Sequence, residues 1–321
     1  MVCEREAGHI VKIGYLLPTR EGVMEGRHAA RPVVDLAVQA EEAGLDSVWI
    51  GDSVIAKPRH DPFTMLAAIA ARTERVNMGT AVLLPILRNP VLLAQQLATI
   101  DQLSEGRLIV GIGIGQDSPP IHNEFSAVGV PFEKRIGRLM EGLRLCKALW
   151  TGEPVTHDGR WSFKDVTLGP VPHRKGGPPI WGSGSVGPAI DRCAKHFDGW
   201  FPSGPSDSSV WAKQLAQLRS TAKDAGRADD AVTAAAYLTL SINENQDAAD
   251  AALDHYLESY YKVPAKGIRK YQGCYAGGLA GAEAWLRGFA DRGAQHISLR
   301  IIGDHTKNIP IAAELKQSLT I

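Results

Sequence analysis

The sequence predicts one α/β domain, a closed (β/α)8 barrel (a TIM barrel) with insertions after strands 4 and 7, spanning residues 1–321. Three observations predict it. Short apolar runs alternate with amphipathic stretches eight times along the chain. Several runs, such as 108–114, are apolar almost throughout, which suits parallel strands buried on both faces. The amphipathic stretches open on Pro or on a capping Asp-Pro or Asn-Pro and close on Gly. An open doubly wound sheet shows the same alternation. The closed barrel accounts for all eight beats in one domain.

The elements follow in order. Residues 13–17 form the first strand, ended by Pro18. Pro32 opens a helix in which Val33, Leu36, Ala37 and Ala40 share a face, and Gly44 stops it. Residues 47–51 are the second strand. Asp61-Pro62 caps a helix with Met65, Leu66, Ile69 and Ala70 inward. Residues 77–84 are the third strand, and Asn89-Pro90 caps a helix reaching about Leu103. Residues 107–114 are the fourth.

The beat then breaks. Residues 115–134 show no clear period, and a helix follows over about 133–150. Residues 155–157 and 161–166 around Asp158-Gly159 read as a hairpin. The beat resumes with a strand at 179–181, a helix over 188–196, a strand at 199–202 and a helix over about 206–225. Residues 232–242 are the seventh strand. Helices over about 246–261 and 279–292 flank a Gly- and Tyr-containing segment, and residues 296–302 are the last strand.

Composition narrows the function. Lys plus Arg and Asp plus Glu are both 35, so nothing points to nucleic acid or an anionic membrane surface. No apolar stretch is long enough to cross a bilayer. Residues 1–8 lack the apolar core of a secretory signal, and a cytoplasmic location is expected. Cys3, Cys146, Cys193 and Cys274 lie far apart, which argues against a disulfide framework or a metal site. Cys146 and Cys193 read as core residues.

In a barrel the residues after the strands carry the chemistry. Asp52 ends the second strand, placed either to orient a ligand or to brace a loop. Gly182-Ser183-Gly184-Ser185-Val186-Gly187-Pro188 joins the fifth strand to a helix. It reads as a phosphate cradle of backbone N–H groups, or as a flexible turn. Gly111-Ile112-Gly113-Ile114-Gly115 lacks dinucleotide spacing; its glycines either admit a planar ligand or serve close packing. His122 lies in the irregular segment, as part of a lid or as a solvated loop residue. No metal-ligand spacing and no nucleophile elbow appears.

Taken together, the chain resembles the bacterial luciferase-like family of flavin- and deazaflavin-dependent oxidoreductases. The matching pieces are Ala43-Gly44-Leu45-Asp46-Ser47-Val48-Trp49, His60-Asp61-Pro62, Arg75-Val76-Asn77-Met78-Gly79-Thr80-Ala81-Val82, Arg88-Asn89-Pro90, Asp101-Gln102-Leu103-Ser104-Glu105-Gly106-Arg107, Pro178-Pro179-Ile180-Trp181 and Phe197-Asp198-Gly199-Trp200. They follow family order over about 10–205. The resemblance implies reduced FMN, or alternatively F420, across the barrel mouth. It implies a cis peptide at Ala81-Val82 behind the ring system. Tyr15, Thr80, Ile114 and Gly115 would lie along the cofactor, and Gly184, Ser185 and Val186 would offer backbone groups to its phosphate. It also implies a homodimer.

Two departures bear on the reaction. Many members carry a His where Ser53 stands, and sugar-phosphate dehydrogenases of the F420 group carry a Glu where Gln116 stands. Alcohol oxidation by that acid–base pair is therefore not expected. The leading expectation is a flavoprotein monooxygenase using reduced FMN, from a partner flavin reductase, and oxygen on a small organic substrate. The alternatives are F420-dependent hydride transfer and a catalytically silent flavin-binding protein. Asp52, Ser53, Gln116 and His122 are the candidate catalytic residues and Arg88 the candidate substrate contact, under lids at 115–134 and 262–278.

Overall fold

The computed structural model describes residues 11–320. Cys3 and the leader reading of residues 1–8 lie outside the described residues. Eleven strands are present among them: β1 (Lys12–Leu16), β2 (Ser47–Ile50), β3 (Asn77–Thr80), β4 (Leu108–Ile112), β5 (Val155–Asp158), β6 (Ser162–Val166), β7 (Ile180–Gly182), β8 (Gly199–Trp200), β9 (Thr233–Ile242), β10 (Gly273–Gly277) and β11 (His296–Ile301). Their hydrogen-bonded order is β9-β11-β1-β2-β3-β4-β7-β8, and β8 pairs back to β9. That order closes an eight-stranded barrel, the (β/α)8 fold. The antiparallel β5–β6 hairpin stands apart from it.

The chain divides into two compact units, one of Gln39–Trp49, Trp181–Ile321 and the chain up to Leu17, the other of Pro18–Val38 and Ile50–Ile180. In the first unit, alternation along each strand sends every second side chain to one face. On one face Trp49 meets Phe201 at 4.7 Å and Trp181 at 5.4 Å between ring centroids, and Trp181 meets His296 at 5.3 Å. Ser47 ties this layer together. Its Oγ accepts from Trp49 Nε1 at 2.6 Å and bonds His296 Nε2 at 2.7 Å. Gly14 is required beside it, since a Cβ there would run into Ser47 Oγ and Trp49 Nε1. Cys193, from the helix Gly187–His196, is buried, and burial pushes its thiol up to about 12.

In the second unit the capping signals act as read. The Asp61 side chain accepts from Thr64 N at 2.9 Å at the head of the helix Pro62–Ala70. Asn89 accepts from Val91 N at 2.9 Å at the head of Pro90–Leu103. Met65, Leu66, Ile69 and Ala70 are all buried, each of the larger side chains contributing about 1.5–3 kcal/mol. Cys146 lies in the core on the helix Arg135–Leu149, its thiol also pushed up by burial to about 12.

Three expectations need correction. Residues 115–134 contain a helix, Pro119–Ala127. Its period was hidden because only Ile121, Glu124 and Phe125 are buried, and one of the three is charged. The 262–278 segment is no free lid: it holds a short helix, Ala265–Ile268, and β10, which pairs in parallel with β9 from Gly273↔Leu238 to Gly277↔Ile242. Backbone pairing makes that strand, and its sequence Gly-Cys-Tyr-Ala-Gly carries no alternation to read. The third strand ends at Thr80 rather than 84; the ladder resumes only as a bridge at Leu83↔Ile112.

Candidate active site

In the second unit the peptide between Ala81 and Val82 is cis, and both residues are only half-buried. This irregular backbone is held from both sides. Ala81 N donates to Ile50 O at 2.6 Å, and the buried Thr80 donates from Oγ1 to Gly111 O at 2.7 Å. Beyond it, Asp52 accepts from Leu84 N at 2.9 Å and takes a two-pronged bond from Arg88, Nη1 to Oδ2 at 2.6 Å and Nη2 to Oδ1 at 3.0 Å. The Asp52 side chain is 1% exposed and that of Arg88 16%. A carboxylate gripped by a planar guanidinium is fixed in geometry as well as charge. Of the two readings of Asp52, the structure shows the brace: it joins the end of β2 to the turn after the cis bond. Arg88 turns both terminal nitrogens to that brace rather than outward.

Ser53 is equally committed. Its Oγ donates to Glu124 Oε1 at 2.7 Å and accepts from Lys57 N at 2.8 Å. The same Glu124 oxygen receives Val54 N at 2.6 Å, Ile55 N at 2.9 Å and Ala56 N at 3.3 Å. Glu124 is wholly buried, and its Oε2 has no hydrogen-bond partner. One carboxylate thus organises the turn after β2 by collecting its backbone donors. Sequence reasoning missed Glu124, although its spacing with Ile121 and Phe125 places it on the apolar side of a helix.

Gln116 and His122 are exposed. His122 Nε2 bonds Asp117 Oδ1 at 2.8 Å and its ring lies 4.0 Å from that of Phe132, within a shallow recess of about 400 Å³ lined by His122, Ser126, Val130 and Phe132. Ile114 and Gly115 leave β4 half-buried. In this unit the structure gathers Asp52, Ser53 and Arg88 into bonded networks and leaves Gln116 presented to solvent.

The first unit carries the glycine-rich segment. Gly184 has φ +111°, and a Cβ there would stand 2.7 Å from Ala189 Cβ. The carbonyls of this segment are turned aside: Trp200 Nε1 donates to Gly184 O at 2.9 Å and Gln214 Nε2 to Ser185 O at 2.9 Å. Across a trans peptide the N–H points opposite to the C=O. Pinning these carbonyls therefore aims the Ser185 and Val186 N–H groups the other way, and neither donates to the described chain. Val186 caps the helix Gly187–His196 with no side-chain bond. Outward N–H groups at a helix head fit an anion such as a cofactor phosphate. Tyr15 belongs elsewhere. It is fully buried, on the face of β1 opposite Gly14, and its hydroxyl bonds His305 Nδ1 at 2.7 Å at the head of the helix His305–Thr320. Among the described residues no three His, Cys, Asp or Glu side chains are placed to hold a metal, and no helix is long and apolar enough to cross a membrane.

The (β/α)8 barrel carries a cis peptide after its third strand and a glycine-rich turn after its fifth. Residues 11–302 match the luciferase-like monooxygenase family model, and the chain belongs to that family; it is an oxidoreductase of the luciferase-like type. It is 34% identical to an F420-dependent glucose-6-phosphate dehydrogenase of Nocardia farcinica, covering 68% of this chain and 67% of that one. The enzyme of the same name from Kineococcus radiotolerans is 35% identical, with 74% and 70% covered. Among solved structures, an F420-dependent secondary alcohol dehydrogenase superposes with a TM-score of 0.81 at 21% identity, covering 96% of this chain and 99% of that one. A long-chain alkane monooxygenase gives 0.77 at 15% identity, covering 96% and 91%. These structural likenesses bear on the fold.

Proposed function

We propose that the chain is an F420-dependent oxidoreductase that transfers hydride between the deazaflavin and a small organic substrate. The observation that carries this reading is the 34–35% identity, over about 70% of the chain, to enzymes named for F420. We prefer it to the expectation of reduced FMN, oxygen and a flavin reductase, because the monooxygenases at 22% and 15% identity bear on the fold alone.

When bound, F420 supplies or accepts the hydride. The chain's own residues bind and orient. The Ser185 and Val186 amides, beside Gly184, would receive the cofactor phosphate. Backbone at Ala81-Val82, with Thr80 beneath, and at Ile114-Gly115 would flank the ring. The Asp52–Arg88 fork would keep the cis segment in place, and Glu124 would do so for the turn at Ser53. Gln116 and His122 would face substrate or solvent. Because Ser53 donates its proton to Glu124, it does not replace the histidine base of the sugar-phosphate enzymes. Hydride delivery to an activated double bond asks less of the protein than alcohol oxidation, and it suits this set of residues.

The test is titration of the purified chain with F420 and with FMN, followed by fluorescence. F420 binding that is at least about tenfold tighter than FMN binding, and weakened about tenfold or more in Gly184→Ala, supports the reading. Turnover of reduced F420 with an enone but not of F420 with glucose 6-phosphate would support the reaction. Tight FMN binding with none of F420 would refute it.

A further inference from the structure

Arg300 stands on the face of β11 that carries His296 and Ser298, in register with Thr239 of β9. It is 4% exposed. No carboxylate among the described residues pairs with it. The guanidinium instead lies 4.4 Å from the Tyr260 ring centroid, 5.1 Å from that of Tyr237 and 5.7 Å from that of Tyr256. Its hydrogen bonds are long, Nη1 to Tyr261 OH at 3.3 Å and Nη2 to Tyr260 OH at 3.4 Å. Its Nε is buried and has no acceptor.

A buried guanidinium without a counter-ion is costly. Ring faces offset part of that cost, but they leave the Nε donor unused and the net charge in place. A cation held this way near the C-terminal end of a barrel strand, where barrel enzymes keep their chemistry, has the charge and donors to recognise an anion. Tyr256 and Tyr261 are only half-buried, so the box is not sealed on every side. Tyr237 also approaches Phe201 of the aromatic layer, at 6.2 Å between centroids, which links the box to the face carrying Trp49 and Trp181.

We propose that Arg300, within its tyrosine box, is an oxyanion-recognition residue that takes a carboxylate or phosphate group of the substrate. This names a substrate class for the function proposed above and rests on that reading only for the word substrate. The anion site itself is testable without any cofactor.

The experiment is calorimetric titration of the full chain with inorganic phosphate and, separately, acetate at constant ionic strength, on wild type, Arg300→Met, Arg300→Lys and Gly184→Ala. The two anions show whether the box prefers the phosphate or the carboxylate form. Arg300→Met is expected to weaken binding at least about tenfold, the scale of one hydrogen bond to a charged group. Arg300→Lys should lose less, because it keeps the charge without the fork. Hydrogen exchange on wild type supplies a readout that needs no variant: phosphate should slow exchange in peptides spanning 256–262 and 298–302. Saturable binding of neither anion overturns the proposal. So does binding unchanged in Arg300→Met, and so does binding lost in Gly184→Ala with protection confined to 184–187, which would assign the anion to the cofactor cradle. Failure here leaves the F420 titration untouched, so the two readings stand or fall separately.

Discussion

The brace beneath the cis segment gives the sharpest prediction, because its two partners differ in access to water. Asp52 is 1% exposed and Arg88 16% in their side chains. Arg88→Met leaves a buried carboxylate with a single donor, Leu84 N. Stranding one partner of a buried pair costs about 3–5 kcal/mol, and Asp52 sits at the upper end of that range. Asp52→Asn keeps an acceptor for Leu84 N, and the released guanidinium can reach solvent, so about 2–3 kcal/mol is expected, the scale of a hydrogen bond to a charged group. At about 2 °C per kcal/mol for a long chain, the losses in Tm are roughly 6–10 °C and 4–6 °C. Urea unfolding of both single variants and the double variant completes the cycle. A coupling energy above about 1 kcal/mol is expected for groups in direct contact. Coupling below about 0.5 kcal/mol, or Arg88→Met milder than Asp52→Asn, would refute the brace.

Glu124→Ala removes the oxygen that collects Ser53 Oγ and three backbone N–H groups. Trypsin cleavage after Arg59 should accelerate several-fold under native conditions, and an unchanged rate would show that the turn holds itself. Burial, aided by Lys12 and Lys316 and opposed by Asp46, pushes the His296 imidazole down to about 3 from its usual 6.5. The folded state thus keeps His296 neutral while the unfolded chain protonates. Its contribution to stability is fully present above about 6.5 and is lost as pH falls from there toward about 3, by up to about 1.4 kcal/mol per pH unit. His296→Gln should flatten that acid limb in urea titrations at pH 7, 6 and 5; an identical slope would mean that His296 protonates in the folded protein.

Local pattern determined much of this protein. Alternation and continuous apolar runs mark the barrel strands, and Asp61-Pro62 and Asn89-Pro90 cap their helices through bonds only two or three residues away, so short segments suffice to show them. The run of glycines located the turn at 182–188, and the family resemblance located the cis peptide at Ala81-Val82. Partner choice was not legible. Ser53 and Glu124 lie 71 residues apart in the chain and Asp52 and Arg88 36, and nothing near either end announces the other. Tyr15 carried the right residue type at a strand end, yet the parity of β1 turns it toward His305, 290 residues on. β10 arises from backbone pairing with β9, and its five residues carry no side-chain period. Arg300 is one charge in an apolar strand, and only the fold closes a tyrosine box around it. Chain-local signals specify elements because propensity and periodicity act within a few residues. Which buried polar groups meet is decided by desolvation, and that acts only once distant segments have packed.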